Sequence, residues 1–304
     1  MNPTLKQLEA FHWAVRLGSF QAAAIRLHTT QSAISKRIAE LEAIFDEKLF
    51  DRSRRRPQAT PKGHVLARSA EEMLALNQKM LASKDGLAGY QGVFRFGATE
   101  LIGQTWLPRL VHRIKDAYPA VDIELDVDLG GTLFERLARG LIDLALIPGP
   151  LWGKQFDALP LKSLECSWMA SPALGVPRRV LSAEELSGYP VLSKSTQSGI
   201  TQLYSTWFQQ NGFVGQRTVM TNSFAALGEL TMAGLGISQL PNQYYREQVR
   251  QGRLVRIRSS PALPHVKYFA VYRKESAGTL AERIGRLAQS ACDFRHPMEY
   301  GGQA

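Results

Sequence analysis

Residues 19–56 read SFQAAAIRLHTTQSAISKRIAELEAIFDEKLFDRSRRR. Phe20, Ala23, Ala24 and Leu27 share one face of a short helix, and the run Ala22 to Ala24 lets a neighbouring helix approach closely. Thr29 and Thr30 make a turn, with Thr30 placed to cap the next helix. Ile34, Ile38, Leu41 and Phe45 give that helix a buried stripe. Its opposite face opens with Gln31, Ser32, Ser35 and Lys36, short or flexible hydrogen-bonding side chains on the first turns. The stretch KLFDRSRRRPQATP (48–61) reads as two short strands around a basic tip. In this order the pieces predict a winged helix-turn-helix, whose second helix enters the major groove by its N-terminal turns. Gln can pair two atoms of adenine and Lys can reach guanine O6 and N7. Arg54 and Arg55 suit a narrow minor groove or phosphates.

Working outward, Leu5, Leu8, Phe11 and Val15 predict an amphipathic helix over 4–17. Gly18 stands where a left-handed C-cap is wanted, and Ser19 can cap the next helix. Downstream, Thr60-Pro61 is a helix start, followed by no strong breaker until Gly86. About 25 helical residues span roughly 38 Å. Leu66, Ala70, Met73, Asn77, Met80 and Leu87 fit the alternating spacing of a paired-helix seam, with Asn77 as a polar register-setting residue.

AAAIRLHTTQSAISKRIAELEAIFDEKLFDRSRRRPQATPKG (22–63) resembles the N-terminal signature of the LysR-type transcriptional regulators. The resemblance is specific over residues 4 to about 65 and extends through architecture over the rest. It implies that Gln31, Ser32, Ser35 and Lys36 face bases and that Arg55 is the wing arginine. Many members carry proline where this chain has Ser32, and often arginine where it has Lys36. Lys lacks the bidentate fork of Arg, so operator preference should differ accordingly. The family further implies pairing through the long helix, a dimer of dimers on a dyad-symmetric promoter in double-stranded DNA, a small-molecule effector, and contact with RNA polymerase when activating.

The remaining residues repeat one pattern. VFRFGA (93–98), DIELDVDLG (122–130) and DLALIP (143–148) read as strands separated by helices. PVLSK (190–194), RTVMTN (217–222) and GISQLP (236–241) repeat that β-α-β-α-β order. ECSWMASP (165–172) and HVKYFAVYRK (265–274) are strands expected to connect the two units, and a final helix is expected over 278–294. The expected fold is α/β and multidomain: the head, a long linker helix, and a two-lobed effector domain resembling periplasmic solute-binding proteins. Its parts are the DNA-reading head at 1–60, the linker and dimerisation helix at 61–89, lobe I at 90–161 with 267–304, and lobe II at 162–266.

Ligands of open α/β sheets bind outside the carboxyl ends of strands, and helix N-termini there suit anions. Those ends give Thr99 and Glu100, Gly131 and Thr132, Ser195 to Thr201 including Gly199 and Ile200, and Asn222 with Ser223. By the resemblance, Thr99, Thr132 and the Ser198–Thr201 turn are effector-contacting segments. An anionic metabolite, commonly a carboxylate, fits such a site. Glu100 could meet a hydroxyl or amine on the effector, or simply solvent.

Bulk properties fit this reading. The chain has 304 residues and a formal net charge of +10. Residues 1–60 hold ten Lys/Arg against six Asp/Glu, a net +4, which concentrates basic charge in the head. Neither a signal peptide nor a membrane-length apolar run is visible, so a cytoplasmic location is expected. Cys166 and Cys292 are far apart and form neither a disulfide scaffold nor a zinc site. No P-loop, GxGxxG after a strand, GxSxG or HExxH is present, and the six histidines are scattered. No enzymatic activity, cofactor or metal is expected. The rival reading is a thiol-based redox regulator of the same architecture, with Cys166 near a hinge strand as its switch.

Overall fold

The computed structural model describes residues 2–51, 57–84, 92–149, 153–195, 198–276 and 278–295. The head begins with α1 (Leu5–Leu17), opened by a capping box in which Thr4 and Gln7 exchange side-chain bonds with each other's amides. Gly18 ends it at φ 60°, the left-handed geometry that a Cβ would strain. Ser19 caps α2 (Phe20–Arg26) and Thr30 caps α3 (Gln31–Phe45), each accepting from an amide three residues on. The wing strands β1 (Phe50–Asp51) and β2 (Gln58–Ala59) pair antiparallel. Thr60 then caps α4 (Pro61–Lys84), accepting from the Gly63 amide at 3.0 Å. Phe11, Ile34, Ile38, Leu41 and Leu49 fill the head core, with Phe11 and Phe20 edge-on to Phe50.

Several details differ from the expected stripes, beginning with Leu5, which is exposed at the start of α1. Phe45 is exposed, and Glu42 takes the buried place beside Ile38 and Leu41. The start of the expected dimer seam is used inside the head: Ala70 is buried there and Leu66 packs against the same core. Val65, Met73 and Leu76 remain exposed on α4. The side chain of Met80 and the whole of Leu87 lie outside the described residues.

Lobe I contains β3 (Gly92–Ala98), α5 (Glu100–Gly103), α6 (Leu107–Ala117), β4 (Val121–Val127), α7 (Gly130–Ala138), β5 (Leu144–Pro148) and β6 (Phe156–Leu164). Lobe II contains β7 (Cys166–Ala170), β8 (Leu181–Ser182), α8 (Ala183–Ser187), β9 (Val191–Lys194) and α9 (Gly199–Gln210). It continues with β10 (Arg217–Thr221), α10 (Phe224–Met232), β11 (Ile237–Pro241), α11 (Arg246–Arg250), β12 (Val255–Ile257) and β13 (Ser259–Ser260). The chain then returns to lobe I as β14 (Val266–Arg273) and α12 (Leu280–Ala291).

The lobes share one plan. Their sheet orders are β4-β3-β5-β14-β6 and β10-β9-β11-β7-β12. In each, three parallel strands meet an antiparallel fourth, β14 or β7. These two were expected to connect the lobes. Each lies within one sheet, where its backbone finds hydrogen-bond partners along both edges, and the chain crosses between the lobes just before it, at Glu165 and over 261–265. The outer strands β6 and β12 were not anticipated. Their sequences lack clean alternation, and pairing to β14 and β7 creates them.

The head docks on lobe I. Arg26 meets Asp143 at 2.9 Å and lies 4.6 Å over the Trp13 ring, while Arg16 meets Glu275 at 3.2 Å. Arg95, paired with Glu124 at 2.6 Å, also reaches the His28 ring. Gly140, at φ +72°, lets Trp13 lie against the backbone; a Cβ there would stand 2.7 Å from the indole.

Candidate effector cleft and DNA-reading face

The DNA-reading candidates cluster as their helical spacing requires. Gln31, Ser32 and Lys36 are exposed on the first turns of α3, and Ser35 is half-buried among them. Ser32 Oγ and Thr30 Oγ1 lie 2.9 Å apart, so the cap also orients the first polar side chain. Arg54 and Arg55 lie outside the described residues. The docked head leaves this face of α3 open to solvent. Sequence reasoning missed Glu42. Its buried Oε1 accepts from the Leu49 amide at 2.9 Å and the Phe50 amide at 3.2 Å, tying β1 to α3. An acid one helical turn after Ile38 and directly after Leu41, on the apolar stripe, was the available signal.

Between the lobes lies a cavity of about 250 Å³. Lobe I supplies Thr99, Glu100, Asp128, Leu129, Gly130, Pro148 and Tyr268, and lobe II supplies Lys194, Ser198, Gly199, Ile200, Asn222, Ser223 and Phe224. Six of the eight effector-binding candidates therefore line one cavity: Thr99, Glu100, Gly199, Ile200, Asn222 and Ser223. Thr132 and Thr201 are not among the lining residues. Thr201 is buried, and its hydroxyl donates to the Lys194 carbonyl at 3.1 Å, fixing the turn between β9 and α9. Thr132 is the third residue of α7, five residues past the end of β4.

The strongest polar cluster joins the lobes across this cavity. Glu100 Oε1 accepts from Ser223 Oγ at 2.6 Å, and Oε2 accepts from the Phe224 amide at 2.6 Å and from Lys194 Nζ at 3.1 Å. Lys194 also donates to the Asn222 carbonyl and lies 4.5 Å over the Phe224 ring. Only 7% of its side chain is exposed. Burial pushes the Glu100 carboxyl up, but Ser223, the Phe224 amide and Lys194 together outweigh it and leave it below the usual carboxylate value. Burial likewise pulls Lys194 down against the opposing charge of Glu100. Lys194 closes the strand PVLSK, so its place at the carboxyl end of β9 was available in the sequence; its burial was not.

Residues 5–64 match the model of the bacterial regulatory helix-turn-helix proteins of the lysR family, and residues 87–292 match the LysR substrate binding domain. The chain belongs to the LysR family of transcriptional regulators. It is 30% identical over 244 residues to a "Probable RuBisCO transcriptional regulator" of Cyanidioschyzon merolae, covering 77% of this chain and 80% of that protein. It is 26% identical over 254 residues to the "Uncharacterized HTH-type transcriptional regulator YeiE" of Escherichia coli, covering 84% and 86%. A full-length OxyR variant from Pseudomonas aeruginosa shares the fold, with a TM-score of 0.68 at 20% identity over 98% of both chains.

In this LysR-type regulator both cysteines are buried free thiols. Burial pushes Cys166 up to about 12 and Cys292 to about 11, so neither is a ready thiolate at neutral pH. No group of three or more His, Cys, Asp or Glu among the described residues is placed to hold a metal. Among the described residues no helix is long and apolar enough to cross a membrane.

Proposed function

We propose that this regulator binds dyad-symmetric promoter DNA through the exposed turns of α3 and the wing, under control of a small anionic metabolite in the inter-lobe cleft. The observation that carries the effector reading is the convergence of helix N-termini on one cavity, two of which open on glycine. Gly130 opens α7 from lobe I and Gly199 opens α9 from lobe II, and neither helix has a side-chain cap bond. First-turn amides left without a capping side chain offer donors and partial positive charge to an anion. Pairing through α4 is supported by Val65, Met73 and Leu76, which stay exposed although apolar, and assembly as a dimer of dimers is part of the same proposal. Contact with RNA polymerase when activating is part of the same proposal.

Footprinting upstream of its own gene, repeated while candidate metabolites are added, tests both halves. A protected interrupted inverted repeat that changes with an anionic compound supports the reading; a footprint indifferent to every anion while responding to an oxidant counts against it. Replacing Gln31 or Lys36 by Ala is expected to cost about 1–3 kcal/mol of discrimination at one base position. Binding-site selection on each variant measures this, and an unchanged preference removes that residue from base reading. For Cys166 we assign a packing role. Cys166→Ser should respond to the effector like the parent, and iodoacetamide should label native Cys166 only as fast as the protein unfolds; rapid labelling with a lost response would favour a redox switch.

A further inference from the structure

The Glu100 cluster has the form of a carboxylate-binding site that is already filled. Three of its donors belong to lobe II: the Lys194 ammonium, the Ser223 hydroxyl and the Phe224 amide at the start of the nine-residue helix α10. The carboxylate they hold comes from lobe I, 94 residues before Lys194 in the chain. Lys194, Asn222, Ser223 and Phe224 all face the cavity, so the site is open to a ligand from the same side. Glu100 itself is about a quarter exposed and also accepts from Gln104 at 3.1 Å, on its own lobe. It can leave lobe II for solvent without being stranded.

We propose that Glu100 is a resident competitor, a built-in carboxylate that an anionic group of the effector, in the cavity onto which α7 and α9 also open, displaces from Lys194, Ser223 and the Phe224 amide. The proposal rests on the cleft reading above and adds the mode of selection. A buried ammonium left without an anion is strongly disfavoured. A neutral or cationic compound is therefore a poor replacement for Glu100, whereas a carboxylate keeps the lobe II donors satisfied. Displacement exchanges a bond between the lobes for a bond between lobe II and ligand. The two lobe arrangements then differ in ligand affinity, which is what an effector needs to shift their populations.

Acetate is the piece that Glu100→Ala removes. In the full-length protein, acetate should raise the melting temperature of Glu100→Ala while acetamide, its neutral isostere, does not, and wild type should barely respond. Glu100→Ala with Lys194→Met should lose the acetate response. By calorimetric titration, pyruvate, malonate and succinate should bind Glu100→Ala at least about tenfold more tightly than wild type. Glu100→Gln, which keeps the shape, should show a smaller gain and serves if the alanine variant fails to fold. Equal affinities in wild type and variants, or no acetate response from a cooperatively melting Glu100→Ala, overturns the competitor role. Tight binding of amines that Glu100→Gln abolishes overturns it in the other direction, making Glu100 a ligand contact. The cleft reading fails separately: wedging the cleft with Gly199→Leu, whose Cβ would stand 3.2 Å from Pro148 Cγ, should abolish effector response. A normal response there sinks the cleft reading whatever acetate does.

Discussion

Replacing Glu42 by Ala is expected to cost the DNA-binding head about 2–5 kcal/mol, since two buried amides lose their acceptor at once. The Leu49 and Phe50 amides sit at the entry to the wing, and Leu49 and Phe50 are themselves almost fully buried, so water reaches them poorly. The neighbouring Lys48 ammonium, 3.6 Å from the other carboxylate oxygen, is largely exposed and adds little. Glu42→Gln keeps one acceptor oxygen and should cost less. Urea unfolding of the full-length protein, followed by far-UV circular dichroism, should show an early transition moved to lower urea in the alanine variant. DNA affinity should fall with it, because the wing loses its attachment to α3. A wild-type transition would show that the wing is held by other contacts.

The second large effect is acid sensitivity at the junction of head and lobe I. His12 is buried on α1, edge-on to Trp13. Burial first, and then the charges of Arg16 and Arg273, lower its pKa to about 4, with Arg26 acting in the same direction and Glu275 against it. Lys6, Glu9 and Glu71 face the same crevice. A base whose folded pKa lies below its unfolded value stays neutral in the native state, while the unfolded chain takes up a proton near pH 6.5. Its contribution is thus fully present above about pH 6.5 and is lost as pH falls toward 4, amounting to about 3 kcal/mol. His12→Phe keeps a ring against Trp13 and removes the proton site. Denaturant unfolding at a series of pH values should show the variant gaining on wild type by that amount between pH 6.5 and 4. Parallel curves over this window would mean that His12 is protonated without penalty in the folded protein.

The head was largely legible in the sequence because its determinants are local. Ser19, Thr30 and Thr60 each cap a helix a few residues away, and the apolar spacing of α1 and α3 repeats every three or four residues. Glu42 escaped because a charged residue on an apolar stripe is ordinarily solvated, and only the return of the chain through Leu49 and Phe50 gives it partners. In the lobes the repeated β-α-β-α-β order was readable, since buried parallel strands and amphipathic helices each carry their own period. The outer strands β6 and β12 were not, because an edge strand is defined by the neighbour it pairs with rather than by its own pattern.

The cleft divides the same way. Strand ends and helix starts placed Thr99, Glu100, Gly199, Ile200, Asn222 and Ser223 near one another, because the rule for α/β sheets ties sequence position to one edge of the sheet. The bond from Glu100 to Lys194 could not be read, because it depends on how two separately folded lobes are set face to face. The seating of Trp13 against Gly140 is of the same kind, a contact between residues far apart in sequence. Sequence by itself determined the elements, their caps and their order, for these depend on backbone preferences and side-chain periods within a few turns. Only the tertiary structure decided which charges meet across the lobes and where the head rests, for those contacts come from the packing of separate units, and no local pattern encodes their distance.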